Sequence, residues 1–320
     1  MTAPLGKNSG TRYRIRRRGT ALYLTLAAVA LSGCSTTSVL NGLQPRGRLR
    51  AVRNLRYQDG TRGTLDVYVP RSAHGSSPVV LFIYGGAWDS GRKAQYAFVG
   101  DALASAGIVA MIADYRVYPE VRWPTFLQDN ARALRWVVDH AGDYGGDPRA
   151  VFIMGHSAGA YDALMLALDP RWLHAVGLDP ARDLRGAIGL AGPYDFLPLT
   201  SEELKIIFGP PQGRAATQPI NHVTGHDPPL FLATDAADRE VDPGNTARLA
   251  AKVRAAGGAV TEQTYAHLNH ALLIGVFAVP LRWLAPVRRD VLQFIQAHTP
   301  IGEGPIHTRP TPERRPLRDH

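Results

Sequence analysis

The stretch Val151-Phe152-Ile153-Met154-Gly155-His156-Ser157-Ala158-Gly159 runs from a short β-favouring apolar segment into a serine set between two glycines. Tyr161 to Leu168 follow as a helix rich in Ala and Leu. A strand, a G-x-S-x-G turn and a helix in that order describe a nucleophile elbow. The turn holds the serine in a strained backbone conformation that only small residues two positions away permit. The hydroxyl is lifted clear of the strand end, and the next amide, that of Ala158, points where an oxyanion would form. Ser157 is the candidate nucleophile.

A serine hydroxyl is a poor nucleophile until a base takes its proton and a carboxylate orients that base. In this architecture the chain order is serine, acid, histidine, each at the C-terminal end of a strand. Downstream, residues 229–234 read as a buried strand that runs into a loop holding Asp235, Asp238, Glu240 and Asp242. A helix is expected over residues 245–256, with Asn245 as N-cap and Gly257-Gly258 as stop. Residues 260–265 then alternate as a strand and lead to His267 and His270. Asp235 lies closer to its strand end, whereas Asp238 has the length of loop needed to swing over the sheet edge. His267 lies nearer its strand, whereas His270 opens an apolar helical stretch over residues 271–279. Both choices stay open on the residues alone. A second oxyanion donor is expected from Gly85-Gly86-Ala87-Trp88, directly after the most continuously apolar strand candidate, residues 79–84.

The remaining segments alternate in type. Helices are expected over residues 95–106, 126–140 and 158–168, and strands over 108–114, 151–154 and 187–190. That order implies an α/β fold with a mostly parallel, doubly wound sheet, with antiparallel strands between Val52 and Val69 at one edge. Residues 197–229 carry many prolines and glycines. They read either as a small cap insertion whose Leu204, Ile206, Ile207 and Phe208 line an acyl pocket, or as a short surface helix. Trp88 is the expected pocket wall, and Trp123, Trp136 and Trp172 are expected to pack in the core.

These segments resemble the α/β-hydrolase superfamily, in the bacterial carboxylesterase branch related to hormone-sensitive lipase and kynurenine formamidase. The matching motifs are Tyr84-Gly85-Gly86-Ala87-Trp88, Asp114-Tyr115-Arg116 with Tyr118-Pro119, Tyr144-Gly145-Gly146-Asp147-Pro148, Gly155-His156-Ser157-Ala158-Gly159, Gly192-Pro193-Tyr194-Asp195, the acid loop and Asn269-His270. The resemblance implies Ser157 as nucleophile, Asp238 as acid and His270 as base. It also implies an oxyanion hole from the amides of Gly86, Ala87 and Ala158, with Gly85 shaping the turn. Tyr84 stands where the family usually has a histidine that braces this loop; a phenolic hydroxyl can also donate and accept. The implied activity is hydrolysis of small to medium carboxylic esters through an acyl-enzyme, without a cofactor. An aryl-formamidase is the alternative within enzymes. An inactive, envelope-tethered binding module is the alternative from another class.

The formal charge of +9 belongs to the N-terminal region. Residues 1–50 hold nine basic residues and no acid, so the 27 acidic residues meet 27 basic ones in the rest of the chain. A neutral body gives no electrostatic footprint for nucleic acid. A basic region ending at Arg18, an apolar run over residues 21–31 and Leu31-Ser32-Gly33-Cys34 together resemble the signal and lipobox of a bacterial lipoprotein. The apolar run is too short to span a membrane. Cys34, the chain's single cysteine, is the expected lipidation site and new N-terminus, with residues 1–33 removed. The expected protein is exported and membrane-anchored, facing the periplasm or the cell exterior. Residues 34–50 read as a tether, 51–299 as the hydrolase domain and 300–320 as a disordered tail. Eleven histidines raise the question of a metal, but none forms an H-E-x-x-H or Cys/His ligand set, and no nucleotide-binding glycine motif is present.

Overall fold

In the computed structural model, residues 40–42, 50–73 and 75–300 are described. The expected signal, Cys34 and the C-terminal tail lie outside them. The strands are β1 (Arg50–Arg56), β2 (Thr64–Val69), β3 (Ser77–Ile83), β4 (Val109–Ala113), β5 (Gly146–His156), β6 (Gly186–Leu190), β7 (Leu230–Asp235) and β8 (Val260–Tyr265). They form one sheet in the order β1-β2-β4-β3-β5-β6-β7-β8. β1 pairs antiparallel with β2, and β2 with β4; every other pairing is parallel.

The patterning explains the order. β3, β4, β6 and β7 are almost wholly apolar and buried, as strands covered by helices on both faces must be. The polar strands take the edges. β1 carries Arg50, Arg53 and Arg56 and is largely exposed, which protects a free edge against further pairing. A bulge between Val52 and Leu55 accommodates Asn54 at φ 59°.

The helices are α1 (Ala97–Ala104), α2 (Thr125–His140), α3 (Ala158–Leu168), α4 (Pro170–His174), α5 (Pro180–Asp183), α6 (Glu202–Ile207), α7 (Gly244–Ala255), α8 (His270–Gly275) and α9 (Val287–His298). α1 and α9 share one face of the sheet, joined where Arg288 Nη2 donates to the Ala102 carbonyl at 2.8 Å. α2, α3 and α7 cover the other. α3 is buried along its whole length, because it lies between the sheet, α2 and the turn at Pro219–His222. Such a helix needs no polar stripe.

Three local expectations change. The helix expected over 95–106 is a 3-10 turn at Lys93–Tyr96 followed by α1, which stops at Ala104. Asn245 does not cap α7; that position is Pro243. Asn245 is buried, and its Oδ1 accepts from the amides of Tyr194 and Asp195 at 2.8 and 2.7 Å, so a long-range demand took the side chain that a local rule assigned to the cap. Within the expected tether, Leu40 is buried and Asn41 is fastened to the body, its Oδ1 accepting from Phe98 N at 2.9 Å and its Nδ2 donating to the Ala94 carbonyl at 2.9 Å.

Candidate active site

The parallel strands deliver the chemistry-bearing loops to one end of the sheet. Ser157 follows β5, the acid loop follows β7, His270 follows β8 and the glycine loop follows β3, all at carboxyl ends of strands. Ser157 sits at φ 56°, ψ −126°, a conformation that a residue with a Cβ adopts only when its surroundings over-determine it. Those surroundings are close backbone contacts. A Cβ at Gly155 would run into the Gly159 carbonyl, and one at Gly159 into the Ile83 carbonyl. The Ser157 amide donates to the Leu190 carbonyl at 2.9 Å, tying the elbow to β6. Ala158 opens α3, so its amide has no acceptor within the helix.

Of the four acids and two histidines left open by the sequence, the structure brings one pair into a hydrogen bond. His270 Nδ1 meets Asp238 Oδ2 at 2.8 Å, with both residues buried. Asp238 Oδ1 accepts from the amides of Glu240 and Val241 at 2.9 and 3.0 Å, so the carboxylate is held by its own loop. Asp235 is wholly buried and accepts from Ala237 N at 2.9 Å and Leu268 N at 3.0 Å. It joins the two loops and does not meet the imidazole. Asp242 accepts from Gly244 N and pairs with Arg248. His267 is exposed in a left-handed turn at φ 69°. Glu240 Oε2 approaches His270 Nε2 to 3.9 Å.

His156, between the two glycine positions of the elbow, is also buried, and its Nε2 donates to the His270 carbonyl at 3.0 Å. Burial, with the neighbouring His270 ring adding to it, pushes the His156 imidazole down to about 3, so it is neutral. It pins the backbone of the histidine loop to the residue beside Ser157.

The glycine loop is strained and braced. Gly86, Ala87 and Trp88 lie at φ 137°, 47° and 61°. A Cβ at Gly85 would stand 2.8 Å from both the His156 carbonyl and Ser157 Cβ, which accounts for glycine there. The Gly86 carbonyl accepts from the amides of Asp89 and Ser90, each at 3.0 Å. At the near end, Tyr84 OH accepts from Arg62 Nη1 at 3.2 Å and donates to Asp114 Oδ1 at 3.1 Å. Arg62 Nη1 also donates to the Gly91 carbonyl at 3.0 Å, so one guanidinium fastens both ends of the loop. Tyr115 OH donates to the Tyr84 carbonyl at 2.8 Å. Tyr84 therefore has a full set of bracing partners.

At the far end, Trp88 is 3% exposed. Its Nε1 donates to Asp162 Oδ1 at 3.0 Å, and Asn130 Nδ2 donates to Asp162 Oδ2 at 3.0 Å. The indole meets Phe208 edge-on at 4.8 Å and Tyr161 at 5.1 Å between ring centroids. The expected pocket wall is thus an anchor enclosed by other rings. Phe208 follows α6, so the segment read either as a cap or as a surface helix packs its aromatic onto the glycine loop, while Ile206 lies 42% exposed. Ile206, Ile207 and Phe208 border a cavity of about 190 Å³ together with Arg122 and Trp123.

Asp162, Asn130 and Arg62 were not singled out from the sequence. Asp162 left a signal: it is the one acid within the apolar run from Ala158 to Leu168. Burial holds its carboxyl well above the usual carboxylate range, against the donation from Trp88. Arg62, on the hairpin between β1 and β2, left none.

A model of the BD-FAE family matches residues 65–253. Among curated proteins, a probable isoprenylcysteine alpha-carbonyl methylesterase of Oryza sativa subsp. japonica is 35% identical over 149 residues, covering 46% of this chain and 36% of that protein. The probable carboxylic ester hydrolase LipM of Mycobacterium tuberculosis is 33% identical over 177 residues, covering 49% of this chain and 40% of that protein. The matched region spans about a third of the length of the first such relatives. Among solved structures, esterase B of Lactobacillus rhamnosis, inhibited by a tributyrin phosphonate, superposes with a TM-score of 0.73 at 19% identity, covering 88% of this chain and 96% of that one.

Proposed function

The chain belongs to the BD-FAE family and has the α/β-hydrolase fold, and from that premise we propose that it is a serine carboxylic ester hydrolase acting on small to medium esters. The observation that carries the reading is the buried His270–Asp238 pair at 2.8 Å, tied to the Ser157 elbow through the bond from His156 Nε2 to the His270 carbonyl. Ser157 Oγ attacks the acyl carbon while His270 Nε2 takes its proton. Asp238 holds the Nδ1–H and stabilises the imidazolium. The amides of Ala158, Gly86 and Ala87 receive the charge that develops on the carbonyl oxygen. His270 then protonates the leaving alcohol, and water, activated by the same base, releases the acid from the acyl-enzyme.

Esters are favoured over aryl formamides because both curated relatives carry ester-hydrolase names. A fluorophosphonate probe should label Ser157 in the folded protein. Ser157→Ala should abolish labelling and lower kcat on p-nitrophenyl acyl esters by roughly 10³-fold or more. A folded wild-type protein that takes no label would instead be a binding module on this scaffold. Higher kcat/KM on N-formylkynurenine than on short esters would make it a formamidase.

We further propose that Cys34 carries the lipid anchor. Among the described residues no helix is long and apolar enough to cross a membrane, and the body is neutral by formal charge, so acyl chains would supply the attachment. Detergent should release the protein from membranes and high salt should not, because salt weakens only charge attraction. Cys34→Ala should remove lipid labelling and leave esterase activity; salt-released wild type would overturn the anchor.

A further inference from the structure

Two carboxylates face one imidazole at the site. Asp238 takes Nδ1, and on the opposite side Glu240 Oε2 lies 3.9 Å from Nε2, the nitrogen assigned to proton exchange with Ser157. The two acids differ in what holds them. Asp238 is buried and saturated by backbone amides. The Glu240 side chain is 70% exposed. Among the described residues its ion-pair partner is His270, which is positive only while protonated. The neighbouring acids are committed elsewhere: Asp235 to the amides of Ala237 and Leu268, and Asp242 to Gly244 and Arg248. The form of the imidazole that accepts the Ser157 proton is the neutral base, and in that form it offers Glu240 no counter-charge. Tyr96, whose ring stacks against Tyr84 at 5.8 Å, has its hydroxyl pushed up to about 12 by burial, against the Gly85 backbone, with a smaller addition from Glu240.

We propose that Glu240 sets the charge preference of the site, favouring esters with a cationic group near the scissile bond and disfavouring those with an anionic one. The inference rests on the ester-hydrolase reading. A substrate bound over Ser157 must pass within a few ångströms of Glu240, because its carbonyl carbon lies within reach of Ser157 Oγ and its leaving oxygen within reach of Nε2. Unit charges 4–8 Å apart at an exposed position interact enough for a change of about threefold in each direction. The cationic-to-anionic preference is then about tenfold.

Three thioacetates with the same acyl group test this: acetylthiocholine, its uncharged carbon isostere 3,3-dimethylbutyl thioacetate, and S-acetyl-3-mercaptopropionate. For each protein the uncharged isostere serves as the reference for kcat/KM. The wild-type ratio of cationic to anionic substrate should exceed that of Glu240→Gln by about tenfold at low salt. It should fall toward the Gln value near 1 M salt, where charges are screened beyond about 3 Å. Glu240→Lys should reverse the preference. Equal ratios in wild type, Gln and Lys variants would overturn the inference while leaving the hydrolase reading intact. No turnover of any substrate, together with no labelling by a fluorophosphonate, would remove the hydrolase reading and this inference with it.

Discussion

The glycine loop after β3 and the acid loop after β7 flank Ser157 and are held by opposite means. In the acid loop the backbone does the holding: Asp235, Asp238 and Asp242 each accept from amides two or three residues ahead. These are Asx-type turns, and short polar side chains form them wherever the chain bends. The glycine loop has three consecutive residues at positive φ and is held by side chains distant in sequence. Trp88 reaches Asp162, Tyr84 reaches Asp114, and Arg62 spans from the β1–β2 hairpin to Gly91. A loop stabilised from within can be read from its own residues, whereas a strained loop needs partners supplied by the fold.

The largest expected effect separates two acids within the first loop. Asp238→Asn should lower kcat by roughly 10⁴-fold with the protein folded, since the imidazole loses its tautomer and its counter-charge. Asp235→Asn replaces one buried acceptor with a donor facing an amide. It should cost about 1–3 kcal/mol of stability and change kcat of the folded protein only a few-fold. Thermal melts alongside kcat read both quantities. A severe kcat loss in Asp235→Asn with Asp238→Asn mild would reverse the assignment and show that the local turn, not the carboxylate, had been read from the sequence.

The same contrast explains what the sequence revealed. Ser157, the acid loop and the histidine loop were legible because strand, turn and helix signals surround each of them. The choice between His267 and His270 was not legible in the residues themselves; it came from resemblance, and the structure separates them by burial, with His270 enclosed and His267 exposed. The sheet was legible through its apolar runs, down to the antiparallel edge. Asn245 misled because capping is a local rule, and here the Tyr194 and Asp195 amides compete for the same oxygen. Trp88 was expected at a pocket wall because of its place in the motif, but its anchor, Asp162, lies 74 residues away.

In the second loop, Trp88→Phe should keep the ring packing and remove the Nε1–H donor. Asp162 Oδ1 then has no donor from the loop, and the strained backbone at Gly86 and Ala87 loses its far anchor. Because both amides are assigned to the oxyanion, kcat should fall by about 10- to 100-fold with KM changed far less. Equal kcat in Trp88→Phe and wild type would mean that the aromatic packing alone sets the loop.

The smallest expected effect on activity comes from the other partner of that bond. Asp162 is wholly buried, no cation contacts it among its described partners, and burial raises its carboxyl well above the usual range. A carboxyl raised on folding keeps its proton in the native state after the unfolded chain has released it. Its stabilising contribution is therefore complete below about pH 4, the ordinary aspartate value, and is lost as the pH rises toward the folded value. Each pH unit within that window costs about 1.4 kcal/mol. Asp162→Asn removes the titration and keeps the geometry: Oδ1 still accepts from Trp88 Nε1, and the new Nδ2 can donate to Asn130 Oδ1, a buried acceptor with no partner at present, once the Asn130 amide turns over. Activity should stay within a few-fold of wild type. The melting temperature of Asp162→Asn should match or slightly trail wild type near pH 4 and move above it as the pH rises. Parallel melting curves for the two proteins between pH 4 and 8 would mean that Asp162 is ionised in the folded state, and the bond anchoring Trp88 would then be a charged one.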